Sequence, residues 1–246
     1  MRKVLALVMV IALAGCATTA APPEARIPQD PWEPFNRSVY EFNRGVDKAV
    51  LRPVARGYDA VTPRPVRTGI GNFFRNIGSP VIMLNMLLQG RGQDFEQEFQ
   101  RFFVNTVYGV GGIFDLADRA DIEDNNADFG QTLHTWGWDD SRFLMLPLLG
   151  PSTVRDGVGT AIDSTQDNVW QRGVRSGRWG LEVLRVIDRR AGLLPLEPEL
   201  ARAFDEYALI RDGYLQRRAF FLGGDQTEAP DYESFLDEGQ WDEEGL

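Results

Sequence analysis

Few residues in this chain could support acid–base or metal chemistry. His134 is the only histidine, and Asp139 and Ser141 follow it closely enough to suggest a Ser-His-Asp set. The chain has no Gly-x-Ser-x-Gly turn, which exposes the nucleophile in many hydrolases. A single histidine also provides no His-rich metal site. We therefore expect a protein that is not an enzyme and that needs neither a cofactor nor a bound metal.

A calcium loop is the second chemistry that residue spacing suggests. Asp124, Asn126 and Asp128 occupy the first, third and fifth positions of an EF-hand loop. The sixth position is Phe129 instead of glycine, and the twelfth is Thr135 instead of glutamate. The match therefore fails, and the acidic residues 115–128 are predicted to form a solvated loop.

The only cysteine lies where bacterial lipoproteins carry their lipid anchor. A basic start and an apolar run at residues 4–14 are typical of a signal peptide. Leu-Ala-Gly-Cys at residues 13–16 resembles a lipobox, whereas a chance cysteine in an ordinary secretory signal is the alternative. We predict that residues 1–15 are removed, that Cys16 is lipidated, and that residues 16–29 form a Pro-rich tether. Alanine after the cysteine favours the outer membrane.

The negative net charge comes from the end of the chain. Without the two basic residues of the signal peptide, 24 of the 26 basic residues remain against 36 acidic ones. Nine of the acidic residues lie in residues 225–246, which contain no basic residue. Nucleic-acid binding is disfavoured because no basic patch dominates. The tail is too charged and too short to bury a core, so we predict that it is disordered or loosely docked.

An aromatic helical stripe dominates the middle of the chain. Its residues recur at the spacing of one helix face: Phe95, Phe99, Phe102, Phe103 and Val107. Gly109, Gly111 and Gly112 then break the helix and permit either close backbone approach or a flexible turn, so they are candidate hinge positions. This run and the charge-free residues 76–90 and 143–154 are shorter than the roughly 20 residues that span a bilayer. They predict either core helices of a soluble domain or segments that enter a membrane part-way.

The remaining pattern predicts a mostly α-helical single domain, residues 30–224, with at most a short β-hairpin. Helix starts are expected at Asp30, Thr62 and Ser79, each followed by proline, and Gly90 is expected to end the third helix. Because of Pro34, a start at Pro34 or Asn36 is the alternative for the first helix. The aromatic and polar residues 131–140 suit a short strand or hairpin. Later helices are expected over the following ranges: 152–162, 168–190 and 198–222.

The last predicted helix carries alternating aromatic and guanidinium groups on one face. The residues of this face are Tyr207, Arg211, Tyr214, Arg218 and Phe221. They predict either the lining of an amphipathic passage, with arginine meeting phosphate, or arginines that snorkel from the edge of a buried face.

Five blocks of sequence occur in an order that is typical of one known family. Residues 30–43 begin Asp-Pro-Trp-Glu-Pro-Phe-Asn-Arg, and residues 101–117 begin Arg-Phe-Phe-Val-Asn-Thr-Val-Tyr-Gly. The other blocks are residues 129–133, 146–156 and 207–221. Together the blocks resemble the MlaA (VacJ) family of outer-membrane phospholipid-transport lipoproteins, and the first two are similar to its opening and central signatures. The resemblance covers roughly residues 30–223.

The resemblance implies a ring-like helical bundle, embedded in the outer membrane from the periplasmic side and pierced by an amphipathic channel. Such a protein removes phospholipids from the outer leaflet, passes them to a soluble periplasmic carrier and so maintains lipid asymmetry. Trimeric porins are the implied membrane partners. Our candidates for the apolar cover of the channel are Phe42, Phe102, Phe103 and Val107. Our candidates for its polar side are Asn43, Asn105, Arg211, Tyr214 and Arg218.

Two other functions remain open on the sequence. The first alternative is a structural lipoprotein that docks on porins without moving lipid. A lipid-hydrolysing enzyme is the second alternative.

Replacement of the predicted anchor tests the lipoprotein assignment. We expect Cys16→Ser to abolish lipidation and outer-membrane placement, because serine lacks the thiol that carries the lipid. Incorporation of radiolabelled palmitate measures the outcome beside the wild-type chain. Palmitate still incorporated into the variant would contradict the assignment.

Overall fold

The computed structural model describes residues 27–170 and 178–223, and it describes side chains for residues 27–165 and 180–223. The predicted signal peptide, the predicted lipid anchor at Cys16, most of the tether and the acidic tail at residues 225–246 lie outside the described residues.

The described residues form nine α-helices and one antiparallel hairpin, which confirms the predicted mostly helical fold. In chain order the helices are α1 (Glu33–Val46), α2 (Arg52–Val61), α3 (Arg64–Leu88), α4 (Gly92–Val107), α5 (Phe129–Thr135), α6 (Val154–Trp170), α7 (Arg178–Gly192), α8 (Glu197–Arg202) and α9 (Glu206–Phe221). The strands are β1 (Phe143–Leu146) and β2 (Gly150–Thr153). A π-helical turn, Asp47–Leu51, joins α1 to α2 without a break.

Asp30 does not cap the first helix, so that prediction is wrong. The helix begins at Glu33 after Trp32, which makes no side-chain capping bond. Asp30 is instead buried, and its carboxylate accepts hydrogen bonds from Asn36 and Tyr207. These two side-chain donors occupy the oxygens that a cap would offer to backbone N–H groups.

Ser79-Pro80 does not start a helix, because packing overrides the proline signal. Pro80 lies inside the 25-residue α3, although an interior proline costs about 3 kcal/mol. Contacts hold the helix on both sides of it. Before Pro80, Asn76 Nδ2 donates to Thr106 of α4 (2.9 Å), and after it Asn85 Nδ2 donates to Asp163 of α6 (2.9 Å).

The predicted helix over residues 198–222 is two helices. Ala203 is extended between α8 and α9, with φ −62° and ψ 136°. The carboxylate of Asp205 then accepts from the backbone N–H of Ala208 (3.1 Å) and caps α9. Asp205 also pairs with Arg37 of α1 (2.6 Å), and that contact places the start of α9 beside α1.

The hairpin lies later in the chain than predicted. The residues predicted as a strand or hairpin, 131–140, begin instead within α5, because the Asp128 carboxylate caps this helix by accepting from the N–H of Gln131. The strands pair from Phe143 opposite Thr153 to Leu146 opposite Gly150. Ser152 is therefore a strand residue and not the predicted helix cap. In addition, α6 runs on to Trp170, and the second predicted helix begins at Arg178 in the described residues.

The elements pack in a closed circuit, which is the ring-like arrangement that the resemblance implies. The first helix packs on β1, the hairpin on α6, α6 on α3, α3 on α7, and α7 on α2, which continues α1. On this circuit, α5 joins α6 to α3, while α4 packs on α3 and α9 packs on β2.

Ion pairs fasten the circuit where α7 meets the α1–α2 junction. Arg190 of α7 donates to Asp47 in the π-helical turn and to Glu197 of α8, each at 2.6 Å. Arg52 of α2 donates to the same Glu197 carboxylate at 2.7 Å. Burial alone would raise the pKa of Glu197, but hydrogen bonds from Arg52, Arg190 and Arg56 lower it to about 2. Glu197 therefore stays ionised and bridges the three arginines.

Two glycines of α6 provide a matched test of how closely α5 and α6 approach. A Cβ on Gly159 would lie 2.4 Å from the backbone nitrogen of Gly130, whereas a Cβ on Gly157 would have its nearest neighbour at 3.6 Å. We expect Gly159→Ala to destabilise the fold by roughly 2 kcal/mol, because backbone cannot move aside easily. Gly157→Ala should be neutral or stabilising, since alanine favours helix by about 1 kcal/mol. Unfolding in detergent measures both, and equal midpoints would refute the close contact.

Candidate functional site

Polar side chains dominate the buried interior of the described residues. Nine buried side chains are hydrophobic, whereas fifteen are polar or charged. Soluble domains usually bury mainly apolar side chains. Large apolar side chains lie outside instead, and those at least half exposed include Phe42, Phe99, Val107, Phe114 and Phe220. No helix among the described residues has both the length and the apolar character needed to cross a membrane.

The first polar cluster joins the start of the domain to its last helix. Asn36 of α1 donates to Asp30 (2.8 Å) and to the carbonyl oxygen of Phe143 on β1 (3.3 Å). Tyr207 of α9 donates its hydroxyl to the other oxygen of Asp30, and Arg211 Nη1 lies 3.5 Å from that oxygen. Burial and the Asp30 carboxylate raise the pKa of Tyr207, so the phenol remains a donor.

The second polar cluster centres on Arg218 of α9. Its guanidinium contacts both oxygens of Asp128, at 2.5 and 2.8 Å, and Asp156 Oδ1 at 2.8 Å. Tyr214 donates to the other oxygen of Asp156 at 2.9 Å. The cluster therefore ties α9 to α5 and α6 through one cation and two carboxylates.

The charges of this second cluster are mutually stabilising. Burial alone would raise the pKa of Asp128, but hydrogen bonds and charge from Arg218 outweigh it and lower the pKa. Because the pKa is lower in the folded than in the unfolded chain, the ionised carboxylate stabilises the fold above the ordinary pKa of aspartate. That contribution is lost as the pH falls through the folded-state pKa.

The predicted face of α9 is thus a buried, ion-paired face. Tyr207 and Arg211 are 2% and 4% exposed, and the Arg218 side chain is 11% exposed. Neither arginine lies at the exposed edge that snorkelling requires. Both have carboxylate partners in the chain, and the role of Arg211, Tyr214 and Arg218 in a lipid channel stays a prediction.

Asn105 has a clear structural task at the end of α4. Its amide donates to Asp115 at 3.0 Å, and its oxygen accepts from the N–H groups of Leu116 and Ala117 at 2.8 and 3.0 Å. Arg101 donates to the same Asp115 and to the carbonyl oxygen of Ile122. Asp115 therefore belongs to the packed structure, although the sequence placed it in a solvated loop.

The three candidate hinge glycines form the tight turn after α4. A Cβ on Gly109 would lie 2.2 Å from the carbonyl oxygen of Phe114. Gly111 and Gly112 have φ of 70° and 92°, which other residues rarely adopt. The predicted close backbone approach is confirmed, whereas movement about these glycines stays a prediction.

The apolar channel candidates divide between α1 and α4. Phe42, Phe103 and Val107 are 54%, 49% and 55% exposed, and Phe102 is half-buried. Asn43, beside Phe42, donates to the carbonyl oxygen of Leu146 (2.9 Å) and accepts from the N–H of Leu148 (2.7 Å). Asn43 thereby holds the hairpin turn, and its assignment to the channel also stays a prediction.

The contacts of Asp30, Asn36 and Asp156 are the part of these clusters that the sequence did not reveal. Asp30 and Tyr207 lie 177 positions apart, and Asp156 and Arg218 lie 62 apart. No local spacing relates residues that far apart. These contacts form only in the folded chain, where the distant elements lie side by side.

His134 and the acidic residues 115–128 do not match the Ser-His-Asp set or the calcium loop that the sequence suggested. His134 Nδ1 lies 3.2 Å from Asp139 and 3.4 Å from Arg155, while Ser141 Oγ accepts the backbone N–H of Arg155 at 2.9 Å. Ser141 therefore accepts a hydrogen bond from a backbone N–H at the start of α6. Within the described residues, no group of three or more potential metal ligands comes together.

These features define a class of protein: a helical protein that turns apolar side chains outward and joins its helices through polar contacts, as membrane-embedded helices do. The chain belongs to the MlaA lipoprotein family, whose model matches residues 28–221.

Relatives of known name support the same family over most of the chain. The chain is 36% identical over 220 residues to the intermembrane phospholipid transport system lipoprotein MlaA of Escherichia coli (strain K12), covering 86% of this chain and 85% of the relative. The protein of the same name from Haemophilus influenzae is 33% identical over 220 residues, covering 87% and 88%. A solved structure from work on the structural basis for maintenance of bacterial outer membrane lipid asymmetry is 34% identical. It has a TM-score of 0.68 and covers 78% of this chain and 98% of its own.

Neighbouring arginines on α9 test whether the second cluster holds the fold. We expect Arg218→Gln to destabilise the protein by about 3 kcal/mol, because two carboxylates lose their shared cation. Arg217→Gln is the matched control, since Arg217 is exposed and lies over the Phe221 ring, at 5.4 Å. Its effect should stay below about 1 kcal/mol. Thermal unfolding in detergent measures both, and a stable Arg218→Gln protein would show that the cluster is dispensable.

Proposed function

We propose that this protein is an outer-membrane lipoprotein that removes phospholipids from the outer leaflet and passes them to a soluble periplasmic carrier. Lipid asymmetry of the outer membrane depends on this activity. The protein is anchored through Cys16 and embedded from the periplasmic side, beside trimeric porins. Phospholipid passes through an amphipathic channel in the helical ring.

The observation that carries this proposal is the outward apolar surface around a polar interior. The hairpin turn adds Leu148 and Leu149, which are 64% and 72% exposed, and Trp136 at the end of α5 is 58% exposed. In water such a surface favours aggregation, whereas in a lipid leaflet it is solvated. Tryptophan suits the boundary between lipid and water.

The free energy of exposing a phospholipid to water requires a channel with both an apolar and a polar wall. A phospholipid with two chains of about 15 methylenes costs on the order of 24 kcal/mol to expose to water, at about 0.8 kcal/mol per methylene. Its tails therefore need continuous apolar cover, for which Phe42, Phe102, Phe103 and Val107 are the candidates. The head group needs polar contacts along the same path.

Two measurements separate transport from porin docking alone. Mass spectrometry of the protein purified from cells should find about one phospholipid retained per chain. A deletion strain with intact porins should lose outer-membrane lipid asymmetry and regain it when the wild-type chain is restored. A protein that binds porin, retains no lipid and leaves asymmetry unchanged on deletion would be a docking lipoprotein.

A charge placed on α4 tests the apolar cover. We expect Phe103→Glu to abolish lipid movement because a carboxylate among acyl chains is strongly unfavourable. The fold should survive, since the Phe103 side chain is 49% exposed. Gln100→Glu is the matched control, because it adds the same charge at an exposed polar position of the same helix. Circular dichroism verifies folding, and a folded Phe103→Glu protein that restores asymmetry would refute the assignment.

A further inference from the structure

The face of α4 that packs inside the protein carries three polar side chains. Glu98, Arg101 and Asn105 recur at the spacing of one helix face, and all three are buried. Arg101 and Asn105 hold residues 115–122 against α4, both through Asp115 and through backbone groups. The first two turns of this face therefore leave Glu98 as the buried side chain whose task is still unexplained.

One oxygen of the Glu98 carboxyl group has no hydrogen-bond partner among the described residues. Six buried side-chain atoms share this property, and the other five are arginine nitrogens. An arginine has five N–H donors, so its charge can still be satisfied when one donor is unused. A buried carboxylate oxygen without a donor is more costly, because the whole negative charge lies on only two oxygens. Glu98 Oε2 is therefore the exception among these atoms.

The cations that act on Glu98 already have carboxylate partners of their own. The charged groups around Glu98 are Arg75 of α3, Arg101 of α4 and Asp124 of the segment that follows α4. Arg75 pairs with Asp124 at 2.5 Å, and Arg101 pairs with Asp115. An ionised Glu98 would therefore make three carboxylates for two guanidinium groups. The charges of this cluster balance only when Glu98 holds a proton.

The surroundings of Glu98 favour its protonated form. Burial raises the pKa of Glu98 above the ordinary value of glutamate, and the charge of Asp124 acts in the same direction. Hydrogen bonding by Ser79 and the charges of Arg75 and Arg101 lower the pKa by less. Because the pKa is higher in the folded than in the unfolded chain, the fold loses stability as the pH rises through the folded-state pKa.

We propose that Glu98 is a proton-binding switch that controls how firmly residues 115–124 are held against α3 and α4. While Glu98 holds its proton, Arg75 and Arg101 each serve one carboxylate of that segment. Loss of the proton to water leaves a buried anion, to which the unused nitrogens Arg75 Nη2 and Arg101 Nε can donate. The two arginines then divide their contacts between Glu98 and residues 115–124, and the segment loosens.

Hydrogen exchange in the purified full-length lipoprotein, in detergent, measures how firmly this segment is held. The backbone N–H groups of residues 116–118 donate to the side chains of Asn105 and Asp115, so their exchange reports on these contacts directly. Rates are corrected for the pH dependence of exchange in an unfolded chain. In wild type we expect the corrected exchange of residues 115–124 to become roughly tenfold faster between about pH 5 and about pH 9.

Two variants of α4 separate Glu98 from the other carboxyl groups. Glu98→Gln replaces the carboxyl group with an uncharged amide of similar shape, so exchange of residues 115–124 should stay slow at both pH values. This variant should also unfold at a higher temperature than wild type at about pH 9 and close to wild type at about pH 5. Glu96→Gln is the matched control, because Glu96 is exposed on the same helix. It should respond to pH as wild type does.

Three results would overturn the switch. If Glu98→Gln exchanges as fast as wild type at about pH 9, another group carries the response. If Glu98→Gln is less stable than wild type at both pH values, Glu98 is an ionised carboxylate that its arginines stabilise. The wild-type chain also tests the switch without any variant, because exchange of residues 115–124 that does not rise with pH would leave Glu98 without this role.

Discussion

The structure depends on buried carboxylates that find their donors on distant helices. When apolar side chains face outward, helices gain little from hiding them against each other, and polar contacts must hold the helices together. Such contacts are strong in a dry interior, but a missing partner is correspondingly costly. Asp30 and Asp156 satisfy this requirement with donors from α1 and α9. The outward apolar surface and the polar interior therefore both suit a protein that is surrounded by lipid.

Closure of the circuit is what makes these contacts possible. Asp30 lies next to the predicted tether, and Tyr207 lies near the end of the domain, yet their side chains share a hydrogen bond. Arg190 likewise links α7 to the turn between α1 and α2 through Asp47. A circuit fixed at several distant points resists opening at any single one, because each break leaves a buried charge without its partner. In the turn after α4, Gly111 and Gly112 have backbone angles that other residues do not easily adopt. This turn lies outside the ion pairs described above.

Local patterns predicted the helices well and the boundaries poorly. The stripe of Phe95 to Val107 predicted α4, and Gly90 ends α3 as expected, since both signals are confined to neighbouring residues. Ser79-Pro80 wrongly predicted a helix start, because contacts with α4 and α6 hold α3 in place on both sides of Pro80. The tasks of Asp30 and Arg218 were not predictable, because a carboxylate and its donor many positions apart leave no periodic trace. The alternation of aromatic and guanidinium groups predicted a distinct face of α9, although only the structure identified the carboxylates that this face contacts.

Arginine joins distant parts of this chain, because one guanidinium group can meet two carboxylates at once. Arg218 meets two carboxylates and Arg190 meets two, so the removal of either arginine leaves anions unpaired. A carboxylate that loses its only cation inside the protein is costly, since water no longer solvates its charge. These two arginines therefore hold α9 and α7 to the rest of the circuit.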